Sequence, residues 1–340
     1  MSGLDPSHIA QVGLGFFASK TLLSAVELGL FTVLARQPMT GKEIAAALQL
    51  HPRAIPDFPD ALVALKLLQR EGDGVEARYS NTPETAFFLD RNSSGYIGGM
   101  LEMANARLYR FWADLTDALK TGMPQNETKH SGEPMFAKLY ADPARLEQFM
   151  NAMSGFSAGN FREFSRKFDF SKYRTLCDVG GATGQLSCMV AEANPHMHCT
   201  SFDLPEVVPI ATRRIQQAGL TDRVSAVGGD FFADPLPRAD VITMGMILHD
   251  WNLEKKMMLI RKAYDALPSG GALVAIEALI DDARRENVAG LMMSLNMLIE
   301  FGDAFDYTGA DFAGWCREVG FRDFKTIPLT GPSSAAVAYK

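Results

Sequence analysis

The sequence predicts a two-part α/β protein, with a mainly helical front half over residues 1–167 and a Rossmann-like parallel sheet with crossover helices over 168–340. Three observations lead to this reading. Apolar residues recur at helical spacing through most of the first half. After Tyr173 the texture changes to short apolar or β-branched runs alternating with helix-length segments, the pattern of a parallel sheet. A glycine-rich loop, DVGGATG, directly follows the first of those runs and opens a helix.

Taken in order, residues 14–35 place Phe17, Leu22, Ala25, Val26, Leu28 and Phe31 at helical spacing, with Gly29 near a break, and predict a helix pair rich in apolar surface. Thr40 followed by Glu43 is a capping-box pattern that starts a short helix. A second helix is expected over 57–69. A polar turn at 71–76 and an extended stretch at 77–80 follow, a helix-helix-hairpin order of winged-helix type. From 95 to 167 the periodicity is again helical, with Leu108, Phe111, Trp112, Leu115 and Leu119 expected on one face and a break at 122–124. The predicted strands are 175–179, 198–203, 224–228, 239–244 and 272–278, with an antiparallel hairpin at 321–328 and 335–338.

Composition narrows the function. A content of 47% hydrophobic and 21% charged residues is that of a globular protein. A net charge of -7 gives no electrostatic reason to expect nucleic acid or an anionic membrane as partner. The N-terminus lacks the plan of a secretion signal, and no run approaches the ~20 apolar residues of a membrane span, so a soluble cytoplasmic protein is expected. Cys177, Cys188, Cys199 and Cys316 form no CxxC pair and read as reduced, buried thiols. No His/Cys/carboxylate cluster at ligand spacing points to a metal.

The glycine loop permits a tight turn and close approach of a ligand at the carboxyl edge of the sheet. Asp203 closes the next strand, placed to accept hydrogen bonds from two ribose hydroxyls, a geometry that a dinucleotide would share. Two features disfavour NAD. Asp178 opens the loop, where it would repel a pyrophosphate and welcome a cationic group. Asp230 and Phe231 end the third strand and offer a carboxylate and a ring to an adenine. Three acidic strand ends suit a positively charged nucleoside without phosphate.

In their order, DVGGATG, SFDLPEVV, GGDFFADPLPRAD, MILHDW, LPSGG and YTGADFAGWCREVGF resemble the small-molecule O-methyltransferases of the caffeate and acetylserotonin type, over nearly the whole chain. The resemblance implies a class I methyltransferase sheet behind a winged-helix-like dimerisation domain, hence a homodimer. It also implies S-adenosylmethionine as cofactor, S-adenosylhomocysteine as product, no metal, and a small-molecule acceptor. Gly180, Gly184, Asp203, Asp230 and Phe231 would contact the cofactor, with Asp178, Gly181 and Leu204 beside them. His249 would be the general base, with Glu277 and Asp306 as its acidic partners. Phe149, Met150, Met153 and Asn296 would line the acceptor pocket. The chain departs from the pattern at Ala182, where the loop usually has glycine, at Gly245, where many plant members have lysine, and at Asp306, usually glutamate.

Methyl transfer from a sulfonium is an in-line displacement, so the protein must chiefly align the acceptor and take its proton. A histidine does the second, and a phenol with pKa near ~10 benefits most. The bland reading of His249 is a buried or capping histidine, in a stretch that also resembles a helix start with Asp250 as the cap. The methionine-rich stripe Leu291, Met292, Met293, Leu295, Met297 and Leu298 fits an adaptable pocket or ordinary core. Three alternatives stand beside the main reading: methylation of a thiol, an NAD-linked oxidoreductase, and a DNA-binding regulator. Against the last, residues 40–70 hold four basic side chains and three acidic ones, too little positive charge for phosphate contact.

Overall fold

The computed structural model describes residues 3–129 and 143–340. The chain divides into two compact units, Met1–Arg110 and Phe111–Lys340. The boundary read from the sequence falls later, after 167, because the intervening helix Pro143–Lys167 is helical like the front half yet packs in the second unit against the helix Gln185–Ala193.

In the first unit, Gly29 has φ of 72°, which glycine adopts without steric cost, and it separates the helices Gly15–Glu27 and Leu30–Leu34. The capping box forms as read: the Thr40 backbone N–H donates to Glu43 Oε2 at 2.7 Å, and the Glu43 N–H donates to Thr40 Oγ1 at 3.3 Å. The second helix is shorter than the sequence suggests. It ends at Ala64, Lys66 turns through φ of 60°, and Leu68–Glu71 is strand β2 rather than helix. Strand β1 (Met39–Thr40) and β2 both pair antiparallel with β3 (Arg78–Asn81). The core beneath them gathers Val26, Leu30, Phe31, Ile44, Leu62, Leu68 and Tyr79.

Further corrections concern the helices. The face expected from Leu108 to Leu119 is interrupted by a π turn at Ala104–Leu108 and a 3-10 turn at Trp112–Asp114, and Leu119 ends exposed. Each change of winding rotates the following side chains off the 3.6-residue stripe. The helical stretch Ser7–Glu27, 21 residues long, is by length and composition apolar enough to cross a membrane, contrary to the sequence reading.

The second unit is built on a seven-stranded sheet. Strands β4 (Thr175–Val179), β5 (His198–Asp203), β6 (Val224–Gly228), β7 (Val241–Gly245) and β8 (Ala272–Glu277) run parallel in the order β6-β5-β4-β7-β8. Strand β10 (Ser334–Tyr339) lies antiparallel between β8 and the edge strand β9 (Asp323–Pro328). Burial follows position: every residue of β8 is buried, as a strand covered on both faces requires, while β6 and β9 expose most of theirs. All four cysteines are buried and unpaired. The order of strands reverses at β4, and at such a switch point a crevice opens beyond the carboxyl ends of the neighbouring strands.

Candidate active site

The turn after β4 is held down from two sides. Gly180 has φ of 70°, and its N–H donates to Phe202 O at 2.8 Å, binding the loop to β5. A Cβ on Gly180 would meet Ile247 Cδ1 at 2.2 Å, and one on Gly181 would meet Ser201 Oγ at 2.3 Å. The left-handed φ favours glycine at Gly180, and at Gly181 a Cβ would also lie 3.0 Å from Asp178 O. Gly184, with φ of 71°, caps the helix Gln185–Ala193. Ala182 carries a Cβ yet adopts φ of 47°, a left-handed conformation where glycine is the ordinary choice.

Three carboxylates at strand ends take different roles in the packing. Asp178 is buried beneath the loop, where its Oδ1 accepts from the Thr243 hydroxyl at 2.7 Å. Burial pushes its carboxyl up to about 7, with Thr243 pulling the other way and Asp203 adding to the rise. The Asp203 carboxylate accepts from Ala182 N–H and Leu204 N–H, both at 2.8 Å, and burial raises it to about 6 against those two bonds. Asp230 accepts from Phe232 N–H at 2.8 Å, which turns the chain so that Phe231 packs edge-on to Phe232 and Trp251. The set of donors and acceptors fits an adenosine bearing a cationic amino-acid end. Acidic acceptors lie at the strand ends beside the glycine loop, and the N–H groups of Ala182 and Leu204 hold the Asp203 carboxylate in place.

His249 sits in the short turn Leu248–Asp250 just beyond β7. Its imidazole is buried between carboxylates, with Nδ1 3.4 Å from Asp306 Oδ1 and Nε2 3.3 Å from Asp250 Oδ1. The backbone N–H of His249 donates to Glu277 Oε1 at 3.2 Å, so Glu277 at the end of β8 fixes the turn rather than the ring. Burial pulls the imidazole down, and Asp250, Asp306 and Glu277 together more than reverse it, to about 10. Burial likewise lifts Glu277 to about 7 and Asp250 to about 6, with His249 opposing both. Asp306 reaches the imidazole because Ile280 N–H donates to Tyr307 O at 3.0 Å, tying its segment to the chain that leaves β8.

The helix Val288–Phe301 packs against the His249 turn, and on it Asn296 accepts from Trp112 Nε1 at 2.9 Å. Met150, with Leu146, Val207 and Ile210, forms a buried cluster to which Phe149, Ala182 and Leu204 are packed, so Phe149 and Met150 stand next to the glycine loop. Met153 is half-buried on the same helix, beside Ser154, whose hydroxyl lies 2.7 Å from that of Thr183. Gly245 is covered by Phe161: a Cβ there would lie 3.0 Å from the ring.

Several residues escaped the sequence reading. Asp250 is no helix cap; Asn252 fills that place, accepting from Lys255 N–H at 3.1 Å, and this frees Asp250 for the imidazole. Its adjacency to His249 was the available signal. Trp112, expected only as part of a helical face, orients Asn296. Lys256 is wholly buried on a helix face with Leu259, Ile260 and Ala263, and a lysine within an apolar stripe was the visible clue. Among the described residues, no group of three or more His, Cys, Asp or Glu side chains could hold a metal ion.

Residues 112–322 match the O-methyltransferase domain model and residues 10–91 the O-methyltransferase dimerisation domain model. The chain is 40% identical to the tetracenomycin polyketide synthesis 8-O-methyl transferase TcmO of Streptomyces glaucescens, covering 98% of this chain and 97% of that protein. It is 39% identical to the N,N-dimethyltransferase OxyT of Streptomyces rimosus, covering 92% and 90%. The crystal structure of human N-acetylserotonin methyltransferase in complex with SAM superposes with a TM-score of 0.90 at 31% identity, over 100% of this chain and 99% of that one.

Proposed function

The chain belongs to the O-methyltransferase family, is an S-adenosylmethionine-dependent enzyme that methylates small molecules, and on that premise we propose that His249 takes the proton of a phenolic hydroxyl on an aromatic ring system. The observation that carries this role is the imidazole buried between Asp306 and Asp250 at 3.4 and 3.3 Å. The name of the relative TcmO, a polyketide 8-O-methyl transferase, supports the aromatic acceptor. The thiol alternative gains no support from the relatives, and the family match replaces the NAD reading.

When bound, the cofactor supplies a methyl group already activated by positive sulfur, a charge that also opposes an imidazolium. Asp203 would accept from the ribose hydroxyls, and Phe231 would lie against the adenine, with Asp230 beside it. Gly180, Gly181 and Gly184 would let the backbone approach, Leu204 would pack on the nucleoside, and Asp178 would fix the loop from below. Phe149, Met150, Met153 and Asn296 would align the acceptor. His249 receives the acceptor's proton on its ring while Asp306 holds the opposite nitrogen and stabilises the cation that forms. Asp250, Asp306 and Glu277 raise the basicity of the imidazole, which favours removal of a proton from a phenol.

The dimerisation domain supports a homodimer. Its apolar side chains Val12, Phe16 and Phe17 are exposed, and Phe16, Phe17, Leu28 and Phe58 line a concave apolar surface suited to a second copy. This also accounts for the apolar stretch Ser7–Glu27 without a membrane, within a winged-helix-like front domain of a cytoplasmic protein. The net charge of -7 supports a protein without nucleic-acid partners.

Turnover of a panel of phenols, arylamines and aryl thiols, followed by formation of S-adenosylhomocysteine, tests the acceptor. The amine arm is included because the relative OxyT is an N,N-dimethyltransferase. Methylation of phenols that collapses in His249→Ala supports the reading; faster turnover of an amine or thiol that survives His249→Ala removes it.

A further inference from the structure

We propose that Lys256 is a positioning residue of the methyl-transfer site, whose ammonium ties the turn carrying His249 to the segment carrying Asp306 and so keeps base and carboxylate paired. The inference rests on the reading of His249 as base.

Lysine is almost never fully buried unless it is paired, and Lys256 is fully buried. It lies in the first turn of the helix Leu253–Ala266, on the face that also buries Leu259, Ile260 and Ala263. An aliphatic side chain would fill that place without the cost of burying a charge. What the ammonium does there is specific. Nζ donates to the carbonyl oxygen of Trp251 and, at 2.8 Å, to that of Phe305. Trp251 follows His249 by two residues, and Phe305 immediately precedes Asp306. One cation therefore holds the backbone on both sides of the His249–Asp306 contact.

The surroundings favour a charged lysine. Nζ lies 3.6 Å from the centroid of the Phe305 ring and 5.7 Å from that of Tyr307. Glu277, Asp306, Asp250 and Asp303 all act to keep the ammonium protonated, and they limit the fall caused by burial to about 8. The Tyr307 phenol is a further ionisable group packed beside it. Asn252, which donates to Asp303 at 2.8 Å, is a second and more exposed tie between the same two segments. Without Lys256 the buried carboxylates would lose their fixed counter-charge, and Asp306 would be free to move away from Nδ1.

Steady-state kinetics and cofactor calorimetry on Lys256→Met, Asp306→Asn and the double variant test this. In Lys256→Met, kcat is expected to fall about tenfold, while the Kd for S-adenosylmethionine stays within about twofold. The double variant should lose no more kcat than Asp306→Asn alone, because both changes break one pair. An unchanged kcat in folded Lys256→Met, or losses that simply multiply, overturns the proposal. If Lys256→Met does not fold, Lys256→Gln takes its place in the cycle; insolubility of both assigns Lys256 to the fold and also overturns it. His249→Ala separates the two claims. Retained activity in that variant removes the base reading, whereas its loss beside a normal Lys256→Met removes only the role of Lys256.

Discussion

Asp306 stands 3.4 Å from Nδ1 of His249, although β8 separates the two in the chain: His249 follows β7 and Asp306 lies in the segment before the helix Gly309–Val319. At that separation the carboxylate is an ion-pair partner with room to tighten into a hydrogen bond of ordinary length. This contact fixes how activity should depend on pH.

The imidazole must be neutral to act, and in the free enzyme it is held up to about 10. The kcat/KM for a phenol should therefore rise with pH above neutrality. In Asp306→Asn a carboxylate that raises the imidazole is gone, so the rising limb should move to lower pH, while kcat at the plateau falls. His249→Ala should cost roughly 10²–10⁴ in kcat. A pH–rate profile of each variant decides the matter, and an unmoved limb in Asp306→Asn counts against the pairing.

Asp203 would hold the cofactor's diol only when ionised, and burial keeps its carboxyl up to about 6. Calorimetry should show S-adenosylmethionine affinity steady from pH 8 to 7 and weakening as the pH falls through about 6. Asp203→Ala should weaken binding by roughly 10- to 100-fold, the value of one or two hydrogen bonds to a charged group. Equal affinity in variant and wild type would take Asp203 out of the site.

Ala182 holds a left-handed conformation that costs a residue with a Cβ about 1 kcal/mol or more. Ala182→Gly should raise resistance to denaturant by about 1 kcal/mol, less the greater freedom glycine has in the unfolded chain. A lower midpoint would show that the Cβ packing of Ala182 near Met150 outweighs the strain.

The buried carboxyls leave a signature in stability. Asp178 and Glu277 are each raised to about 7, so the folded state binds protons that the unfolded state has released. Their contribution is complete below about pH 4 and is lost as the pH climbs through 7; the raised imidazole of His249 adds a further loss between about 6.5 and 10. Cofactor-free protein should thus unfold at lower urea at pH 8 than at pH 5.5. Asp178→Asn, which cannot ionise, should narrow that difference, and an undiminished gap would mean that Asp178 is not among its causes.

Phe17→Glu places a charge on the apolar surface of the front unit, where Phe17 is exposed. Sedimentation velocity should show a wild-type dimer and a variant shifted toward monomer. A wild-type monomer at all concentrations defeats the homodimer reading.

Strands of the large sheet were legible because a run such as ALVAIE in β8, buried throughout, differs in period and length from any helix around it. The end of the second helix was not, since the left-handed turn at Lys66 leaves no mark in a residue type that seldom takes it. The glycine loop and His249 could be read from local motifs. The pairing of His249 with Asp306 and Asp250, and the clamp of Lys256, depend on which loops the sheet brings together, and lysine in a helix ordinarily reads as solvent-facing.

The placement of β10 between β8 and β9 bears on how the enzyme comes into being. A ribosome delivers β8, with Glu277 at its tip, long before residues 334–339 exist, so the nascent chain carries an open strand edge beside its half-formed Leu248–Asp250 turn. Assembly of the site is in this sense deferred until synthesis has passed Tyr339, and a chain cut short before Ser334 would offer that edge to other chains rather than to its own last strand.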